Sequence, residues 1–301
     1  MNDWSNQFDV VQSLAEKRNK EKFADLYLLK EVVTEELFVL KTISKTPSNG
    51  KAVDRLRREV SFDFQHAGLP AIHSVHETPT DFSFIKKFQT GIDFLSFFQG
   101  KPKRERIEWI KKVSEGLYPI FQHLSELGIT HCDLNPGNIL LSEYKGKVQV
   151  ELIDFGLAVR NKEKSNRPFH FNLSYSAPEV ILNKSEVFNA SSDIYSLGLI
   201  LYRLFEGSAP FVHSNPLVST NLALTYPIER SLKTPRNIWK IILKATSKHQ
   251  FKTSPNRLKE EELIERLRKG CSNRYSNYFE FHKDIMELKK NRTWFKRLSP
   301  V

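Results

Sequence analysis

Short apolar runs fill the first third of the chain, and apolar residues at helical spacing fill most of the rest. Phe8 to Leu14, Leu26 to Val33 and Leu37 to Ile43 are rich in β-branched and aromatic residues, the pattern of strands. The turn Thr46-Pro47-Ser48-Asn49-Gly50 leads into a charged amphipathic stretch, Asp54 to Gln65, which predicts a helix. Ile72 to Val75 and Phe82 to Phe88 predict two further strands, and Gly91 marks a boundary between two parts of the chain.

Beyond Gly91 the helical period dominates. From Glu105 to Leu127, Ile107, Ile110, Val113, Leu117, Ile120, Phe121, Leu124 and Leu127 recur at helical spacing, and Gly128 stands where a helix C-cap belongs. A stretch from Ser191 through Phe205 is apolar nearly all round, which predicts a helix buried in the middle of a helical layer. Further helices are predicted at Asn237–Thr246 and Tyr278–Leu288, and the charged stretch Lys252–Lys269 reads as an insertion. Strands with one helix followed by helices predict an α+β fold.

Composition adds little and excludes some classes. A chain of 301 residues, 40% hydrophobic and 27% charged, can bury a substantial core. The net charge of +11 favours acidic partners such as phosphates, although most such charge lies on solvated faces. No apolar stretch approaches the length of a membrane span, so none is expected. The opening Met1-Asn2-Asp3-Trp4-Ser5 lacks the basic-then-apolar pattern of a signal peptide. Two cysteines, Cys132 and Cys271, make no disulfide framework, so a reducing, cytoplasmic setting is expected.

The strongest chemical signal is His131-Cys132-Asp133-Leu134-Asn135-Pro136-Gly137-Asn138, followed by a turn at Lys145-Gly146-Lys147, a strand, and Asp154-Phe155-Gly156. Phosphoryl transfer needs divalent metal on the phosphates and an acceptor for the hydroxyl proton. Asp133 suits the second task, and Asn138 with Asp154 suits the first. Cys132 reads as a small buried thiol and His131 as a packed structural residue.

These motifs resemble those of the protein kinase family, over nearly the whole chain. The resemblance implies a bilobal α+β fold, with a small β-rich lobe at 1–90 carrying one helix and a larger helical lobe at 91–301. It implies ATP and Mg2+ as cofactors and a protein Ser/Thr hydroxyl as acceptor. Phe38-Val39-Leu40-Lys41 resembles the third-strand motif, putting Lys41 on the α/β-phosphates with Glu59 as its partner; Asp93 and Ala24 are further expected ATP contacts. Asp133, Lys41 and Asn135 are the expected catalytic set, with Asn138 and Asp154 on the metal. His131, Phe155, Gly156, Glu179, Asp193 and Arg274 are expected in support. Within that group Asp193 would brace the catalytic loop and Arg274 would pair with Glu179 of Ala177-Pro178-Glu179.

Departures from the family pattern carry their own expectations. No glycine precedes Gly50, so the phosphate-cradling glycine-rich turn is missing and Ala24 stands for its last glycine. Lys17, Arg18, Lys20 and Lys22 crowd the same turn. Cys132 replaces a frequent arginine, which argues against activation through a phosphate on the following segment. Asn135 replaces a lysine, so a lysine restored there is expected to speed transfer. Asn172 replaces a threonine. Two alternatives stay open: a small-molecule kinase of the aminoglycoside or choline type, and a pseudokinase scaffold. Nucleic acid is not expected as a partner, and the sequence leaves the oligomeric state open.

Overall fold

The computed structural model describes residues 3–14, 24–161, 163, 172–252 and 255–289. The described chain falls into two compact units. One holds the residues up to Gly91 together with Glu151–Leu157; the other holds Ile92–Val150 and the residues from Ala158 onward. A single cut after residue 90 misses this return of 151–157. The segment is held in the first unit because Leu152 donates to the Gly68 carbonyl at 2.9 Å and Phe155 packs on Phe64, ring centroids 4.6 Å apart.

The first unit is a five-stranded sheet built from β1 (Phe8–Ser13), β2 (Asp25–Glu31), β3 (Leu37–Ser44), β4 (Ile72–Glu77) and β5 (Asp81–Lys87). Its order is β1-β2-β3-β5-β4, antiparallel throughout. Side-chain alternation splits the sheet residues between two cores. Phe8, Leu29, Phe38, Leu40 and Ile85 cluster on one face. Ile43, Phe82 and Phe84 on the other face pack with Ala52, Val53 and Leu56 of the helix α1 (Gly50–Val60).

That helix differs from the expected Asp54–Gln65. Its inward stripe, Ala52, Val53, Leu56 and Glu59, has helical spacing. The next buried residues, Phe62 and Phe64, are two apart, which no α-helix can put on one face, so the chain becomes extended. Ser61 closes the helix by donating its hydroxyl to the Arg58 carbonyl at 2.8 Å.

β6 (Ile92–Asp93), β8 (Ile139–Tyr144) and β9 (Lys147–Leu152) form a second sheet, of which all but the last two residues of β9 belong to the second unit, and there β7 (Ile129–Thr130) pairs with β10 (Val159–Arg160). Lys145 and Gly146, at φ 50° and 77°, turn β8 into β9. The helices are α2 (Phe94–Gln99), α3 (Arg106–Glu126), α4 (Pro178–Ile181), α5 (Ala190–Glu206), α6 (Pro216–Thr225), α7 (Arg236–Ala245), α8 (Glu260–Ser272) and α9 (Tyr278–Met286). Burial along α5 is nearly complete, as its all-round apolar sequence requires. Asn189 and Ser192 cap α5 reciprocally, and Gly207 ends it at φ 91°. Phe121 of α3 stacks on Tyr278 of α9 at 4.4 Å between centroids.

The charged stretch 252–269, read above as an insertion, runs into a helix. Its second half opens α8, which carries Glu260, Glu261 and Glu262 in the first turn and buries Leu263, Leu267, Gly270 and Cys271. Its charge hid a four-residue stripe. Among the described residues no helix is long and apolar enough to cross a membrane.

Candidate active site

In the first unit, β3 and α1 bring Lys41 and Glu59 together at 2.6 Å. Lys41 is opposite Phe84 in the β3–β5 register, on the sheet face that α1 covers, and Glu59 ends the inward stripe of α1. The Glu59 side chain is fully buried. Its second oxygen accepts from Lys86 of β5 at 2.8 Å. Burial works to raise the Glu59 carboxyl, but Lys41 and then Lys86 bring it below the usual carboxylate range. Burial likewise works against the Lys41 ammonium, and Glu59 and Asp154 outweigh it, leaving it above the usual lysine range.

Asp154 lies 3.9 Å from the Lys41 ammonium and accepts from Arg55 at 2.9 Å. Its backbone is left-handed, φ 64°, which aims the carboxylate back across the segment toward the Gly156 N–H, 3.4 Å away. A side chain at Gly156 would put its Cβ 2.5 Å from Cγ of Arg55, so glycine lets Arg55 lie along this turn. Phe155, fully buried, anchors the turn against Phe62 and Phe64. Ala24 precedes β2 and packs on the core below Lys41. Phe23 and the basic residues Lys17, Arg18, Lys20 and Lys22 lie outside the described residues.

In the second unit the loop at 131–138 is braced by one carboxylate. Asp193, on the first turn of α5, accepts from the backbone N–H groups of His131 and Cys132 at 2.8 and 2.9 Å. Between them the chain makes a left-handed kink, with Cys132 at φ 63°. Burial pushes Asp193 up to about 7, against the pull of these two N–H bonds. His131 is fully buried, and its Nδ1 accepts from the Asp133 N–H at 3.3 Å, a structural task. The Cys132 thiol is buried, forms no disulfide, and donates to the Thr130 carbonyl at 3.6 Å.

Asn138 donates to the Asp133 carbonyl at 2.8 Å, and among the described residues no donor reaches its Oδ1. Asn135 donates to the same carbonyl at 3.0 Å and accepts from the Gly137 N–H at 3.0 Å. Both ends of its amide are therefore spent on the loop, which changes what a lysine at 135 would do. Asp93 caps α2, accepting from the backbone of Leu95 and Ser96 at 3.1 Å each. Asn172 turns onto its own loop, accepting from the Ser174 N–H at 3.1 Å.

Below this loop Arg274 meets Glu179 of α4 with two bonds, 2.6 and 3.0 Å, and both side chains are buried. Ser192 adds its hydroxyl to Glu179 at 2.7 Å, and the Ser247 carbonyl takes a third Arg274 N–H at 2.7 Å. The structure thus assembles Lys41, Glu59 and Asp154 in one unit, and His131, Asp133, Asn135, Asn138 and Asp193 in the other, with Glu179 and Arg274 paired in the latter. Two residues escaped the sequence reading, Arg55 and Lys86. Both had a signal: Lys86 breaks an apolar alternation begun by Phe82 and Phe84, and Arg55 precedes Glu59 by one helical turn.

Asp154 in the first unit and Asn138 in the second each carry a hard oxygen of the type magnesium takes, and among the described residues no cluster of three or more His, Cys, Asp or Glu could hold a metal alone.

Comparison with known proteins agrees with this geometry. A profile of the protein kinase domain matches residues 21–287. Serine/threonine-protein kinase D2 of Rattus norvegicus and that of Homo sapiens are each 32% identical over 194 residues, 62% of this chain and 22% of theirs. Serine/threonine-protein kinase cds1 of Schizosaccharomyces pombe is 25% identical over 244 residues, 76% of this chain and 51% of that protein. The matched part therefore spans about half or less of the length of these relatives. With the family profile covering most of its length, this chain belongs to the protein kinase family.

Proposed function

We propose that this chain transfers the γ-phosphate of ATP to serine or threonine hydroxyls of protein substrates, with Mg2+. The observation that carries the reading is the buried Lys41–Glu59 pair with the Asp154 carboxylate 3.9 Å from the same ammonium. A fixed cation beside a metal-grade carboxylate is what a triphosphate requires, because the reaction depends on positioning and charge neutralisation more than on covalent chemistry.

Lys41 holds the α/β-phosphates, and Glu59 fixes its direction. Asp154 and Asn138 are each an oxygen ligand for Mg2+, which when bound would neutralise phosphate charge. Asp133 orients the acceptor hydroxyl and takes its proton. Ala24 contributes an apolar contact and Asp93 a polar one toward the nucleoside. Asn135 acts on the rate through the loop it braces. Both cysteines are buried free thiols, which fits a reducing, cytoplasmic setting.

Transfer of labelled γ-phosphate from Mg-ATP to a generic protein acceptor tests this, with Asp133→Asn as the control. Label on Ser or Thr from the parent and none from the variant is the expected result. Label found only on small alcohols or amines, or no turnover at all, would overturn it.

A further inference from the structure

Glu59 holds two lysines, not one. Oε2 accepts from Lys41 at 2.6 Å and Oε1 from Lys86 at 2.8 Å. The carboxylate is fully buried, and the lysine side chains are only 15% and 12% exposed. Strand register explains the meeting. Phe82, Phe84 and Lys86 alternate onto one face of β5, and Lys41 is directly opposite Phe84. The Phe84 ring lies under both ammonium groups, 5.9 Å from each.

The charge count matters. A buried Lys–Glu pair is neutral, whereas these three groups carry two positive charges and one negative. In a partly desolvated setting the surplus is felt more strongly than in water. If Glu59 had Lys41 as its one partner, drawing that ammonium toward an anion would strand a buried carboxylate, which is strongly disfavoured. With Lys86 on the other oxygen, Glu59 stays paired whichever way Lys41 turns. The nearby Asp154 does not cancel the surplus, since Arg55 approaches it more closely, 2.9 Å against 3.9 Å for Lys41. The sequence also holds no glycine before Gly50, so the residues that join β1 to β2 include none of the glycines that allow close backbone approach to phosphate.

We propose that Lys86 is a positioning residue for nucleotide binding: it neutralises Glu59 so that the charge of Lys41 is free for the polyphosphate, and it replaces part of the affinity that a glycine-rich turn would supply. The inference rests on the nucleotide site proposed above. It concerns phosphate recognition and leaves the nucleoside alone, which makes it separable from a purely structural role.

Dissociation constants of ATP and of adenosine, measured by calorimetry on the whole chain, test it. Lys86→Met should weaken ATP by about tenfold, equivalent to about 1.4 kcal/mol, and leave adenosine unchanged within about twofold. Lys86→Arg, which keeps the charge and the bond to Glu59, should restore ATP affinity. Should Lys86→Met fail to fold, Lys86→Gln keeps a donor for Glu59 without the charge and reads the same quantity. Equal weakening of ATP and adenosine would make Lys86 a mere packing residue, and unchanged ATP binding would leave it no role; either overturns the inference while the nucleotide site stands. A folded parent that binds no ATP would overturn both.

Discussion

Replacing Arg274 by methionine isolates one buried charge and gives it a measurable consequence. Arg274 donates to both Glu179 oxygens, to the Ser247 carbonyl and, at 3.3 Å, to the Ser191 carbonyl, while its guanidinium lies 4.7 Å from the Tyr195 ring centroid. Methionine keeps apolar bulk over that ring and removes the charge and every bond. Glu179 is left fully buried with the Ser192 hydroxyl and the Cys271 thiol as side-chain partners and no cation. Removing one member of a buried pair costs about 3–5 kcal/mol. The second unit, of about 200 residues, should lose about 2–4 °C of Tm per kcal/mol, so a fall of about 6–20 °C is expected at pH 7.

The pH dependence gives a sharper test. In the parent, burial works to raise the Glu179 carboxyl, and Arg274 with Ser192 overcomes it and holds the carboxyl low. A depressed folded value makes the pair's contribution fully present above the unfolded carboxyl value of about 4.3, and lost as pH falls through the folded value. Without the guanidinium, burial raises the carboxyl, and the sign reverses: the variant keeps its stability in acid and loses it as pH rises through the unfolded value toward the folded one. The Tm gap between parent and variant, followed by scanning calorimetry, should therefore be wide at pH 7 and narrower at pH 5. A variant melting within about 2 °C of the parent at pH 7, or an equal gap at both pH values, would refute the reasoning.

Asp154→Asn keeps the shape of the metal-side turn and removes its charge, so magnesium-dependent turnover should fall about a thousandfold or more, the rate equivalent of about 4 kcal/mol. Normal turnover by a folded variant would remove Asp154 from the site. Asn135→Lys should lower kcat on a protein acceptor at saturating ATP, because it deletes two loop bonds worth about 0.5–1.5 kcal/mol each; a gain would show that the missing lysine outweighs the brace. Phosphatase treatment should leave the rate unchanged within about twofold, since Cys132 offers no cation to a phosphate on the following segment. A large loss, with the lost mass mapped to Ser165, Ser174 or Ser176, would contradict that.

Much of the site was legible in the sequence because its parts are local. Asp133 and Asn138 share one loop, and Asp154, Phe155 and Gly156 share one turn, so a linear motif displays them together. The strands of the first unit and four of the eight described helices of the second (α3, α5, α7 and α9) followed from period alone, with ends off by a residue or two. The charged opening of α8 and the early start of α1 did not, because a short buried stripe is faint beside many charges. Asn135 looked like a lost catalytic donor, and the structure made it a loop brace by closing bonds two residues away on either side. The pairing of Lys41 with Glu59 and of Arg274 with Glu179 could be named through family resemblance, but only the fold closes contacts across 18 and 95 residues. Lys86 shows the limit most plainly. In the sequence it is a charge at the end of a strand; in the structure, the β3–β5 register and the inward face of α1 bring it onto the same buried carboxylate as Lys41. Local rules reach two residues along a strand and four along a helix, and which charges share a counterion is decided where separate elements pack.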